Sequence, residues 1–374
     1  TDPTNPPGEV AADLLAAYGV PGSGTPDGER QQDRPPEAGG GPDPAPDVAP
    51  GRDGGDGDRR PDQELPFVAL AEPLVTWARR RLHAHLDTIA CDRLPPAGRL
   101  TELLLRGLRP RLNAMVQRTC LLELAADRAA GRLAGRTPEE RFASFQRRLR
   151  DPRERYRLLI RYPVLARQLA VTGRAWVHQA VELVTRLAAD LPDLVRTFSP
   201  DRDPGGVVDV VTGLGDPHRG ARTVAMVRFA SGPPVVYKPR PSAVDRHFQD
   251  LLAWVNARTS GPRLRVLRCL DRGSYGWMEY VESAPPADPE AARCFHRRQG
   301  ALLALLYLLH AGDFHAENLV QAGDQPVLVD LETLLQPELP SLRPAGESGA
   351  ERLAADLASG SVLHAGLLPT RPAP

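Results

Sequence analysis

Between Gly312 and Asp330 the sequence runs Gly312-Asp313-Phe314-His315-Ala316-Glu317-Asn318 and then, after a short interval, Val327-Leu328-Val329-Asp330. Moving a phosphoryl group to a hydroxyl needs a carboxylate at the acceptor and oxygen ligands that hold Mg2+ on a triphosphate. Asp313 suits the first task; Asn318 and Asp330 suit the second. An Asp that closes an apolar run is costly to bury unpaired, although taken alone Asp330 reads equally as a turn residue. His315 has three open readings: orienting Asp313, stabilising charge on the transferring group, or serving as a structural histidine with satisfied ring nitrogens.

The next residue able to do chemistry is Lys238. The 47 basic residues of the chain are 46 arginines and this one lysine. An arginine skew reads as composition, but guanidinium and ammonium are not interchangeable at a compact charge-binding site. Lys238 closes the run Val235-Val236-Tyr237, and a strand-borne lysine can meet the phosphates of ATP. Upstream, Gly215-Asp216-Pro217-His218-Arg219-Gly220-Ala221-Arg222 lies between two predicted strands. Its two glycines are too few to define a phosphate cradle. Asp216 with His218 is a pair capable of acid/base work; as a bare pattern it also reads as a turn with an incidental histidine.

These residues need elements to position them. Residues 1–64 carry 14 Asp/Glu and 5 Arg, and the remainder of the chain carries a net +9. Residues 21–62 are dominated by Gly, Pro and Asp, a composition that predicts disorder, with at most a short amphipathic helix over Glu9–Tyr18 before it. From Pro66 to about Ser199 the period is helical, with Val75, Ala78, Leu82 and Leu86 on one face and Leu104, Leu108 and Leu112 on another. A break is predicted at Pro163 and a helix end at Pro192. After Pro204, Val207–Val211, Thr223–Phe229 and Pro234–Tyr237 read as strands, Phe248–Arg258 as helix, and Leu264–Leu270 and Trp277–Val281 as strands again. A linker, the apolar helix Ala291–His310, a loop and the strand Pro326–Asp330 follow. The expected fold class is α+β: a tail (1–64), a helical part (65–199) and a kinase-like, two-lobed catalytic part (200–374).

Several classes are excluded or reduced. Cys91, Cys120, Cys269 and Cys294 are widely spaced with no Cys-x-x-Cys, so no disulfide framework is expected. A zinc site from His83, His85 and Cys91 would offer only three ligands, on different helix faces. Ala301–Leu309 is about half the length of a membrane span. The arginine clusters at 79–81 and 147–150 read as solvated helix faces, with peptide or nucleic-acid contact as the minor alternative. A cytoplasmic protein without nucleic-acid partner or membrane span is expected.

The residues also carry a family resemblance. The order Asp-x-His-x-x-Asn resembles the catalytic loop of phosphoinositide-type lipid kinases rather than that of protein kinases. The blocks GDPHRGAR, VVYKPR, FQDLLAWVN, DRGSYGWMEYVE, RRQGALLALLYLL, DFHAEN and PVLVDLETLL, with Tyr162–Arg167 upstream, together resemble the dehydratase domain of class II (LanM-type) lanthipeptide synthetases. The resemblance runs from about residue 65 to the C-terminus. It implies a lipid-kinase-like fold that uses ATP and Mg2+ to phosphorylate Ser and Thr of a precursor peptide, then eliminates phosphate to leave dehydroalanine or dehydrobutyrine. It assigns Lys238 to ATP, Asp313 and His315 to phosphorylation, Asn318 and Asp330 to the metal with Glu332 nearby, and Asp216 and His218 to elimination. Family members are longer and end in a zinc-dependent cyclase domain, so a truncated dehydratase without zinc is expected. In such a fragment the large lobe is incomplete, the covering of the Ala301–Leu309 face is missing, and a second chain is a conceivable partner. Two alternatives stay open: a phosphotransferase acting on another hydroxyl, and a non-catalytic module whose basic body binds an acidic peptide.

Overall fold

The computed structural model describes Tyr18 and residues 65–215, 222–335 and 349–368. The architecture is α+β, a helical stretch followed by mixed sheet and helix. The helices are α1 (Glu72–Leu86), α2 (Ala97–Ala129), α3 (Pro138–Arg150), α4 (Pro152–Arg161), α5 (Pro163–Phe198), α6 (Ala243–Arg258), α7 (Pro289–Leu308) and α8 (Gly349–Ser359). Two compact units form, one from the residues up to Arg81 with Gly107–Ala175, the other from Leu82–Arg106 with Trp176 onward.

The helical unit is built on leucine periodicity. Leu108, Leu112, Val116 and Cys120 repeat every fourth residue along α2 and are all buried. Phe67 joins them, its N–H donating to Asn113 Oδ1 (3.0 Å) and its ring standing edge-on to Phe142 and Phe145. Thr137 and Glu140 form a reciprocal capping box that starts α3, with Pro138 in the first turn. The Tyr18 hydroxyl donates to the Leu70 carbonyl (2.7 Å). The rest of the expected acidic tail, and all of the Glu9–Tyr18 helix but Tyr18, lie outside the described residues.

The second unit holds a five-stranded antiparallel sheet of order β1-β2-β3-β5-β4, from β1 (Val207–Leu214), β2 (Val224–Phe229), β3 (Val235–Lys238), β4 (Cys269–Asp271) and β5 (Gly276–Glu279). α6 lies between β3 and β4 in the chain. A separate hairpin pairs β6 (Leu319–Ala322) with β7 (Gln325–Leu328), turning through Gly323 at φ 64.

Three expectations change. The helix does not end at Pro192, which sits inside α5. An interior proline costs about 3 kcal/mol, and here the segment is held from outside. Leu191, Leu194 and Phe198 are buried, and Asp190 accepts from Tyr275 Oη and Trp277 Nε1 (2.8 Å each) while pairing with Arg272. Residues 264–268 are not a strand, because side chains satisfy their backbone: Asn256 binds both the N–H and the carbonyl of Leu264, and Gln249 takes the Leu267 N–H. Finally, the Ala301–Leu309 face is not bare. Leu302 and Leu306 pack with Phe248, Leu252, Phe314, Leu328, Leu331 and Leu367 of the same unit, while Tyr307 and Leu308 stay exposed. The break at Pro163 is present, with α4 ending at Arg161.

Candidate functional site

Lys238 ends β3 opposite Gly276 of β5. Gly276 is required there: a Cβ would run into the Ser242 side chain at the start of α6. The lysine side chain is 8% exposed, and its Nζ donates to Asp245 Oδ1 of α6 and to the Val329 carbonyl, both at 2.7 Å. Two of its three N–H groups are thereby fixed, and the third has no partner among the described residues. Asp245 is fully buried and also takes Arg240 Nη1 on Oδ2 (3.0 Å).

The loop after α7 is shaped by backbone strain and cross-links. Asp313 adopts φ 63, a left-handed conformation that costs a non-glycine residue about 1–3 kcal/mol and persists only where its surroundings enforce it. The surroundings do so. Gly312 N donates to the Thr333 carbonyl (3.3 Å), Thr333 Oγ1 returns a bond to the Gly312 carbonyl (2.5 Å), and Phe314 N donates to Ala365 O (2.9 Å). Phe314 itself is buried, and Gly366, at φ 74, lies where a Cβ would sit 3.2 Å from the Phe314 nitrogen.

From this loop a chain of hydrogen bonds runs to the lysine. Asn318 Nδ2 donates to the Asp313 carbonyl (2.8 Å), Val329 N donates to the Asn318 carbonyl (3.1 Å), and Lys238 donates to the Val329 carbonyl (2.7 Å). The Asn318 amide therefore turns Oδ1 away from the Asp313 carbonyl. Asp330 follows Val329 directly; its Oδ1 accepts from Arg240 Nη2 (3.2 Å) and Glu332 N (3.3 Å). Among the described residues nothing donates to its Oδ2. His315 Nδ1 accepts from the Glu317 N–H, which leaves Nε2 to carry the proton facing Asp313 Oδ1 at 3.6 Å. Asp313 and His315 are solvent-accessible. Lys238, Asp313, His315, Asn318 and Asp330 thus share one connected site.

Asp216 and His218 lie outside the described residues; their anchors do not. Leu214 pairs with Val224 and Ala225 pairs with Tyr237, so both ends of the 216–221 segment and Lys238 are at the same end of the sheet. Arg222, at the β2 entry, is held by Glu182 of α5 (2.8 Å). Burial alone would raise the Glu182 carboxyl, but the Arg222 hydrogen bond and the charges of Arg186 and Arg222 keep it below the ordinary carboxylate range. Tyr237 accepts from Arg186 (2.5 Å), and its burial pushes the phenol up.

Reading the sequence alone misses Asp245, Arg240 and Thr333. The signal for Arg240 is its place two residues after Lys238; Asp245 and Thr333 carry none short of the tertiary contacts. Among the described residues no group of three or more His, Cys, Asp or Glu could hold a metal, so His83, His85 and Cys91 do not assemble one. The four cysteines are free, and no described helix is long and apolar enough to cross a membrane.

Residues 162–373 match the family described as "Domain of unknown function (DUF4135)". The chain belongs to this family. All residues of the connected site fall within the DUF4135 region. Over 236 residues, 60% of this DUF4135 chain, it is 25% identical to the "Lacticin 481/lactococcin biosynthesis protein LcnDR2" of Lactococcus lactis subsp. lactis. The matched stretch covers 25% of that relative, so the chain spans about a quarter of its length.

Proposed function

We propose that this chain is a kinase-like dehydratase of the class II lanthipeptide synthetase type. It phosphorylates Ser and Thr of a precursor peptide with ATP and Mg2+, then eliminates phosphate to give dehydroalanine and dehydrobutyrine. The observation that carries the reading is the hydrogen-bond chain from Asp313 through Asn318 and Val329 to Lys238. The DUF4135 match, the likeness to a lacticin 481/lactococcin biosynthesis protein, and a strand–strand–strand–helix–strand–strand unit with its lysine on β3 support it.

The donor set fits the cofactor. Asn318 Oδ1 and the Asp330 carboxylate are hard oxygen donors of the kind Mg2+ takes, and Lys238 keeps one ammonium N–H for a phosphate oxygen. Bound Mg2+ and ATP supply the phosphoryl group and neutralise charge building on it. Asp313 accepts the proton of the peptide hydroxyl, held in position by its strained backbone and the Asn318 bond. His315, with its proton on Nε2, stabilises negative charge beside Asp313. Asp245 fixes the lysine. For elimination, Asp216 and His218 serve as the acid/base pair: the α-proton leaves, the Cβ–O bond breaks, and phosphate departs. The precursor peptide is the partner, and the cytoplasm, where ATP is available, is the site of action.

The test is mass spectrometry of a class II precursor peptide incubated with the chain, ATP and Mg2+. Loss of one water per modified Ser or Thr is the expected result, and His218→Ala should accumulate phosphopeptide instead. Neither phosphate gain nor water loss from folded protein would refute the reading. Phosphate gain that His218→Ala leaves unaltered would favour a simple phosphotransferase.

A further inference from the structure

Arg240 holds three carboxylates at once. Its side chain is 15% exposed, and each guanidinium nitrogen has its own acidic partner: Nη1 with Asp245 (3.0 Å), Nη2 with Asp330 (3.2 Å) and Nε with Glu332 (2.5 Å). These partners come from α6 and from the segment that follows β7. With Lys238 included, the cluster sums two positive against three negative charges. A single net negative charge does not hold a divalent cation out of water, because desolvating the ion is costly unless several oxygens compensate it. The guanidinium also occupies Oδ1 of Asp330, the carboxylate proposed above as a cation ligand.

We infer that Arg240 is a positioning residue that makes divalent-cation binding at Asp330 conditional on a polyphosphate ligand. The inference rests on the metal role proposed for Asp330. Without the polyphosphate, the guanidinium repels a second cation and competes for Oδ1. A triphosphate near Lys238 brings several negative charges and its own oxygen ligands. It offsets the guanidinium, so that the cation and Arg240 are tolerated together while Asp245 and Glu332 keep the arginine tethered. Free metal is thus kept from occupying the site ahead of nucleotide, and the catalytic carboxylate stays oriented in the resting enzyme.

The experiment is a titration of the full chain with Mn2+, followed by electron paramagnetic resonance of the free ion, with and without a non-hydrolysable ATP analogue. Wild type should bind Mn2+ in the presence of the analogue and show no saturable binding without it. Arg240→Gln, which removes the guanidinium charge from Asp330 and Glu332, should gain nucleotide-independent Mn2+ binding, tightening by at least about tenfold. Arg240→Lys, which keeps a charge, should stay close to wild type. Saturable nucleotide-free binding by wild type overturns the inference without needing a variant, as does an Arg240→Gln protein with native circular dichroism that gains nothing. If neither protein binds Mn2+ even with the analogue, the metal reading of Asp330 fails along with it; binding with nucleotide but no gain in the variant sinks the inference alone.

Discussion

Over residues 65–81 and 107–175 the sequence has 19 Arg against 7 Asp/Glu, whereas residues 82–106 and 176–374 have 23 basic against 26 acidic residues. The +9 of the chain body is therefore carried by the helical unit, at +12, and the unit with the sheet is slightly acidic, at −3. In the helical unit the charge stands on the surface: Arg80, Arg147, Arg150 and Arg153 are exposed, and buried Asp127 is met by Arg132 and Arg148, which are themselves 51% and 35% exposed. In the sheet unit the central cations are inside, Lys238 at 8% and Arg240 at 15% exposed. One skewed composition thus supports two kinds of charge. On a helix surface the cation is solvated and its identity matters little; at the end of β3 it is a geometric part that must fit its buried partners.

Exchanging lysine and arginine in the two regions is the sharpest way to break this contrast. Lys238→Arg places a larger, forked cation where Nζ lies 2.7 Å from both Asp245 and the Val329 carbonyl. ATP turnover should fall roughly a hundred- to thousandfold, the scale of losing one positioned donor at a transferring group. Arg80→Lys should leave turnover unchanged and alter stability by no more than about 0.5 kcal/mol. Assays of ADP release, with chemical denaturation for stability, read both. Unchanged turnover in Lys238→Arg would remove the lysine from the site.

Carboxylate removal is the next largest effect. Asp245→Asn takes the counter-charge from two enclosed cations, and breaking a buried pair costs about 3–5 kcal/mol. Asp127→Asn removes a carboxylate just as buried, but its arginines can turn to water, so the loss should be only about 1–3 kcal/mol. Urea denaturation of both variants decides the matter: equal losses would mean that carboxylate burial, not the burial of its cations, sets the cost.

The sequence makes these two regions legible to different depths. Leucine steps of four along α2 and the break at Pro163 are local signals, and the helical unit realises them directly. The Asp-x-His-x-x-Asn motif is legible for the same reason, since Asp313, His315 and Asn318 lie within six consecutive residues. What joins them to Lys238 is not local. The bonds from Lys238 to Val329 and from Arg240 to Asp330 cross 91 and 90 residues of chain. Asp245 looks like an ordinary first-turn helix acid until α6 is packed. Pro192 misleads because the penalty is local and the compensation, through Asp190 to β5 and Arg272, is not.

The smallest effect concerns acid. Burial works against the Glu182 charge, yet its arginine partners win and hold the carboxyl below 4.5; Glu140 of the helical unit is likewise lowered, first by the backbone N–H groups of Arg136 and Thr137. A carboxyl whose folded value is depressed contributes stability that is complete above its unfolded value and is lost as pH falls through the folded one. Both residues should therefore weaken the fold progressively below about pH 4.5, and neither should matter near neutrality as pH changes. Substitution separates them. Arg222→Gln removes a side-chain hydrogen bond and a charge from Glu182, whereas Arg141→Gln leaves the backbone N–H groups of Arg136 and Thr137 on Glu140. Carboxyl-carbon NMR titrations should show Glu182 moving up toward the ordinary value in Arg222→Gln while Glu140 stays in Arg141→Gln. If Glu140 moves as far as Glu182, backbone donors do not hold it, and the two units do not differ in how they fix a carboxylate.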